Sequence, residues 1–127
     1  MLRAKIHRAV VTDANVEYEG SITIPPHLMD ASEMHEYEAV HVWNITAGTR
    51  FETYAIAGEP GSSDICVNGA AAHLVTVGDR IIIAAFCDVE ERELRGFQPK
   101  LIFVDENNRQ TESRPEVPGP RRITAAG

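Results

Sequence analysis

Basic charge is scarce in this chain: 12 lysines and arginines stand against 19 aspartates and glutamates, for a net charge of -7. A nucleic-acid surface needs a basic footprint, so this balance argues against DNA or RNA as a partner. Cysteine is scarcer still. Cys66 and Cys87 are the only two, and they lie too far apart for a Cys-x-x-Cys metal or redox motif. Their apolar neighbours mark them as reduced core residues, the usage expected of a cytoplasmic protein. No apolar run approaches the ~20 residues of a membrane-spanning helix. The start, Met1-Leu2-Arg3-Ala4-Lys5, lacks the apolar core of a secretion signal, so neither membrane nor export is expected. The five histidines show no paired ligand spacing, and no metal is assigned. Internal repeats are absent.

What is present suits one domain of 127 residues built mainly from strands. Lys5 to Thr12 ends in β-branched residues and stops at the turn-formers Asp13 and Asn15; Val16 to Ile24 reads as a second strand interrupted at Gly20-Ser21. Pro25 and Pro26 end it, and the second proline suits the first turn of a short helix through Leu28 and Met29. Ala39 to Ile45 alternates, with Val40, Val42 and Asn44 on one face. In the next strand, Arg50 to Ala57, the period of two puts Arg50, Glu52 and Tyr54 on one face and Phe51, Thr53 and Ala55 on the other. Ile65 to Val67 is a short strand before the turn pair Asn68-Gly69, and Ala70 to Leu74 reads as a helical turn or two. Arg80 to Cys87 is a central strand and Leu101 to Val104 the last core strand, while Asp88 to Glu91 carries a capping-box pattern for a short helix between them. The domain is placed at residues 1–106. From Asn107 to Gly127 the chain is polar and holds Pro115, Pro118 and Pro120, so a tail is expected that is mobile or orders only against a neighbour. Many short strands with only short helices predict an all-β fold, a closed β-barrel and not a parallel α/β sheet.

The chemistry centres on Tyr18-Glu19-Gly20-Ser21, where a hydroxyl directly follows a glycine carbonyl. Glycine can turn that carbonyl toward the next side chain, leaving it open to Ser21 Oγ. Gly-Ser is also an ordinary turn pair, and its meaning depends on the rest of the chain. Arg3, Lys5, His7 and Arg8 form the first basic cluster able to meet an anion.

Lys5-Ile6-His7-Arg8, Tyr18-Glu19-Gly20-Ser21, Arg50-Phe51-Glu52-Thr53-Tyr54, Val67-Asn68-Gly69-Ala70-Ala71-Ala72-His73 and Val77-Gly78-Asp79 occur together in one order and spacing. In this the chain resembles the pyruvoyl-dependent aspartate α-decarboxylases, which make β-alanine for pantothenate biosynthesis, over about Lys5 to Val104. The resemblance implies a double-psi β-barrel and a homotetramer with sites between subunits. It implies that Ser21 becomes a pyruvoyl cofactor by self-cleavage after Gly20, with the Thr53 hydroxyl polarising the Gly20 carbonyl. It further implies that L-aspartate forms a Schiff base there and loses CO2, with Tyr54 donating the proton to Cα. Arg50 and Lys5 would take carboxylates, and Thr53, Asn68, Gly69, Ala70 and Ala71 would hold the substrate, with His7 and Trp43 in support. Whether an accessory protein assists maturation stays open at this level.

Other readings stand beside these. Without that resemblance Tyr54 reads as a half-buried strand tyrosine and Arg50 as a solvated strand-start charge, an order that the resemblance reverses, while His7 and His73 suit structural hydrogen-bonding. A hydrolase triad is disfavoured, since Ser21 lacks the Gly-x-Ser-x-Gly elbow. The alternative outside catalysis is a small anion-binding β-barrel with no processing at Ser21.

Overall fold

The computed structural model describes residues 1–119, in which nine strands form one mixed sheet ordered β2-β6-β3-β5-β4-β7-β1-β8-β9. The strands are β1 (Leu2–Val10), β2 (Asp13–Asn15), β3 (Ser21–Ile24), β4 (Ala39–Asn44), β5 (Arg50–Ala57), β6 (Cys66–Asn68), β7 (Arg80–Phe86), β8 (Lys100–Val104) and β9 (Gln110–Ser113). Among the described residues the helical elements are α1 (Pro26–Ser32) and two 3-10 segments, Gly69–Leu74 and Glu91–Gly96. The all-β expectation is met, and the architecture accords with a double-psi β-barrel. The hydrogen-bonded ladder itself does not close, with β2 and β9 at its two ends.

Alternation places the core. Val40, Val42 and Asn44 of β4 are buried, as are Ile81 and Ile83 of β7 and Ala4 and Ile6 of β1, and they converge with Ile22, Ile24, Leu28 and Ile102 on one interior. Each buried large aliphatic side chain contributes about 1.5–3 kcal/mol relative to exposure. Helix α1 starts with Pro26 in its first turn, where no intrahelical N–H is needed, and ends at Glu33 in the left-handed region (φ 60).

Several local expectations fail for identifiable reasons. Val16 to Gly20 is not strand: Asn15 Oδ1 accepts the Glu17 N–H at 2.9 Å, an Asx turn that bends the chain just before β3. Asp13 to Asn15, read as a turn, instead pairs parallel with β6. Asn68 belongs to β6 and not to a turn, and the reversal falls on Gly69 at φ +75. The Asp88 to Glu91 capping box does not form; the 3-10 segment there starts without a side-chain cap. Cys66 and Cys87 are free but only half-buried, so they are not core residues.

The chain past Asp105 also departs from the tail expected. Asn108, fully enclosed, takes the Val10 N–H on Oδ1 at 2.7 Å and donates from Nδ2 to the Val10 and Ser63 carbonyls at 2.9 Å each. That lock turns the chain back, and β9 adds antiparallel to β8. The remainder of the expected tail, residues 120–127, lies outside the described residues.

Candidate active site

The Gly20-Ser21 bond sits where an exposed bend enters the sheet. Ser21 is 1% exposed and opens β3, opposite Asn68 of β6, whereas Gly20 is exposed. Asn68 Nδ2 donates to Ser21 Oγ at 3.1 Å and to Thr23 Oγ1 at 3.3 Å, and the Cys66 thiol donates to Asn68 Oδ1 at 3.0 Å. Burial, with Asp13 and Asp64 nearby, pushes the Cys66 thiol upward, so it stays protonated as a donor. Ser21 Oγ is thus fixed by a three-residue relay on the β3–β6 pair. Gly20 does not use a left-handed backbone, contrary to the expectation for an exposed carbonyl: its φ is not positive.

Strand β5 runs parallel to β3 with Ile22 opposite Ala55, which sets Ser21 level with Tyr54. Thr53 and Tyr54 leave β5 on opposite faces, since Thr53 faces Val40 across the β4 pairing and Tyr54 faces Ala39. Both are half-buried, and the Tyr54 ring lies 6.4 Å from that of Tyr37. Asn68 passes directly into the 3-10 segment of Gly69, exposed Ala70 and half-buried Ala71. Ser21, Asn68 and Gly69 therefore meet where β3 begins, with Tyr54 level with Ser21 on β5 and Thr53 on the other face of that strand.

The expected carboxylate binders lie elsewhere. Arg50 is exposed at the start of β5 with its guanidinium 5.4 Å from the Trp43 ring centre, in an open groove of about 500 Å3 that His41, Phe51 and Glu52 also line. His41 Nδ1 is 3.6 Å from Glu52 Oε1. Four residues of strand separate Arg50 from Tyr54, about 13 Å at ~3.3 Å per residue. Lys5, on β1, is separated from β5 by β7 and β4, about 14 Å at ~4.8 Å per strand step. An aspartate spans only ~4 Å from amino nitrogen to side-chain carboxyl carbon. Measured along the sheet, the backbones that carry Arg50 and Lys5 thus stand more than an aspartate's length from that of Ser21.

Lys5 Nζ instead donates to Glu116 Oε1 at 2.7 Å, beside a cavity of about 240 Å3 shared with His7, Phe103 and Arg114. The Lys5 hydrogen bond and charge hold the Glu116 carboxyl below the usual carboxylate range. His7 is not the structural hydrogen-bonder expected: its Nδ1 is buried without a partner among the described residues, and its ring meets Phe103 edge-on at 5.3 Å. Burial and the charges of Lys5, Arg8 and Arg114 pull its pKa down, leaving the imidazole neutral at pH 7. His73 is exposed. The basic cluster is also divided, because Arg3 is engaged by Glu38 and the Glu33 carbonyl while Arg8 turns out at a bulge with φ 70. Among the described residues no three His, Cys, Asp or Glu side chains converge as metal ligands.

Sequence reasoning passed over Thr23, Cys66 and Glu116. The first two stand two residues from Ser21 and Asn68 in the same strands, so the strand period marks them; Glu116 lies in an aperiodic stretch that offers no such signal.

Comparison with known proteins bears directly on this arrangement. The family model described as aspartate decarboxylase matches residues 1–111. An aspartate 1-decarboxylase of Legionella pneumophila (strain Lens) is 63% identical over 116 residues, 91% of this chain and 87% of its own length. One from Rhodopirellula baltica is 57% identical over 94% of this chain and 77% of its own, and one from Myxococcus xanthus 52% over 98% and 97%.

Proposed function

The chain belongs to the aspartate decarboxylase family, and from that premise we propose that it makes its own carbonyl cofactor from Ser21 and completes its substrate site between subunits. The reaction is removal of the α-carboxylate of L-aspartate as CO2, leaving β-alanine, the precursor used for pantothenate.

Self-cleavage begins when Ser21 Oγ bonds to the Gly20 carbonyl carbon. The hydroxyl proton passes to the departing amide nitrogen, so an ester replaces the peptide bond. Thr53 donates a hydrogen bond to the oxygen that becomes negative on the way. Loss of the Ser21 Cα proton then breaks the Cβ–Oγ bond, Oγ leaves on the Gly20 carboxylate, and hydrolysis of the resulting dehydroalanine releases ammonia. Asn68 Nδ2, already 3.1 Å from Oγ, is placed to stabilise that leaving oxygen.

The residues present fit a pyruvoyl group at position 21. Residue 21 is buried and paired in the ladder while Gly20 lies in an exposed bend, so the cut end can move off without releasing the new terminus. Asn68 would meet the group from β6, and β5 would bring Tyr54 level with it and Thr53 one residue before. A pyruvoyl carbonyl supplies an electron sink for the pair left by CO2, the role pyridoxal phosphate plays elsewhere. Tyr54 O–H then delivers a proton to the substrate Cα. Asn68 and the backbone of Gly69 to Ala71 hold the substrate, whose surviving carboxylate meets the Arg50 fork, with Lys5 as second cation and Trp43 fixing the guanidinium. Because Arg50 and Lys5 sit far from Ser21 within one chain, they serve a neighbour's Ser21 in the homotetramer the family resemblance implies.

The single observation carrying this reading is the buried Ser21 hydroxyl held by Asn68 directly behind an exposed glycine. Ser21→Ala should remain one intact chain without decarboxylase activity. An active, uncut Ser21→Ala protein overturns the reading in favour of a barrel that acts without processing.

A further inference from the structure

The glycine whose chemistry draws attention is Gly20, yet its surroundings do not demand glycine: a Cβ there meets nothing within 4 Å. Gly69 is the opposite case. It is buried, takes φ +75, and a Cβ on it would lie 2.7 Å from Gly20 Cα, 2.8 Å from Gly20 N and 3.2 Å from the Tyr18 carbonyl oxygen. All three are backbone atoms, so no side chain can swing aside to make room. We propose that Gly69 is a positioning residue for self-cleavage: its bare backbone seats the Gly20 peptide and so holds the Gly20 carbonyl within reach of Ser21 Oγ.

Asn68 holds Ser21 Oγ through its side chain, and Gly69 seats Gly20 through its main chain. The nucleophile and the carbon it attacks are therefore both located by one dipeptide at the end of β6. Ordinary carbon–carbon contact needs about 3.5–4.0 Å, so a side chain at 69 must drive Gly20 away by about 1 Å. A misplacement of ~1 Å costs on the order of a hundredfold in a reaction that depends on near-attack geometry. This role precedes substrate binding, and it rests on the reading that the chain is cut before Ser21.

The test follows intact mass against time for freshly purified wild type, Gly69→Ala, Gly69→Asn and Gly20→Ala, with melting temperature recorded for each uncut form. Asparagine tolerates a positive φ better than alanine while still carrying a Cβ, so it keeps the collision and relieves the backbone strain. Both Gly69 variants should be cut about a hundredfold more slowly than wild type while melting as folded proteins, and Gly20→Ala should be slowed less than either. A folded fraction of either Gly69 variant that is cut at the wild-type rate overturns the proposal, as does a Gly20→Ala block deeper than that of Gly69→Asn. A wild type that stays whole would instead overturn the underlying reading of Ser21.

Discussion

Mixing two inactive variants tests whether Arg50 serves the Ser21 of its own chain or that of a neighbour. Ser21 is level with Tyr54, whereas Arg50 starts β5 about 13 Å away along the strand. Its guanidinium cannot make up that distance while it rests over Trp43, which is its direct partner across the β4 pairing. Ser21→Ala lacks the reacting group. Arg50→Ala should still be cleaved, but loses a charge-assisted hydrogen bond of about 1.5–3 kcal/mol, roughly a ten- to hundredfold loss of decarboxylation. If each site takes Ser21 from one subunit and Arg50 from the next, random equal mixing leaves about one site in four with both groups. Coexpressed Ser21→Ala and Arg50→Ala chains should therefore form β-alanine at about a quarter of the wild-type rate per subunit. Activity no greater than the average of the two parents would refute the intersubunit assignment and require Arg50 to reach its own Ser21.

Removing the Glu116 carboxylate with Glu116→Gln should free Lys5 for substrate. Because Glu116 is largely exposed, the contact contributes only about 0.2–1 kcal/mol, so KM for aspartate should fall no more than about fivefold with kcat unchanged. The Glu116 pKa is lowered in the folded chain, so the contact is fully present above the ordinary glutamate value and is lost as pH falls through the lowered one; the KM difference between wild type and Glu116→Gln should close in that window. Tyr54→Phe should be cleaved normally yet decarboxylate about 10²–10⁴-fold more slowly, since it removes the proton donor and nothing else; a normal kcat assigns the proton to another group. Asn108→Ala strands the Val10 N–H and should destabilise the fold by about 1–3 kcal/mol in urea unfolding.

The sequence pattern resolved most of the scaffold because inward and outward residues alternate cleanly along β4, while β7 stands out as a nearly unbroken apolar run. Arg50–Ala57 was legible to the residue, and with it the shared face of Arg50 and Tyr54. Alternation says nothing of what a strand pairs with. The distance between Arg50 and Ser21 depends on the parallel β3–β5 register, which only the assembled sheet defines. Local rules misled where a tertiary contact outweighed them: Asp13 to Asn15 carries turn residues but gains a ladder partner in β6, and Asn108 folds a polar, proline-bearing stretch onto the barrel with three partly buried hydrogen bonds. Ser21, Thr53, Tyr54 and Asn68 are named for the proposed site through their joint order along the chain. Order along the chain also brings in Gly69, but not its steric need for glycine, which comes from Gly20, 49 positions away in sequence, whose Cα would lie 2.7 Å from a Cβ at position 69.

Self-cleavage before Ser21 precedes every other step, and intact mass of the purified, incubated wild type reads it without recourse to activity. Two species should appear, Met1 to Gly20 and a larger piece starting at position 21. The larger piece should be lighter by the elements of ammonia than a fragment beginning with serine, and closed to sequential degradation from its amino end. A single uncut chain that nonetheless converts aspartate to β-alanine would contradict it.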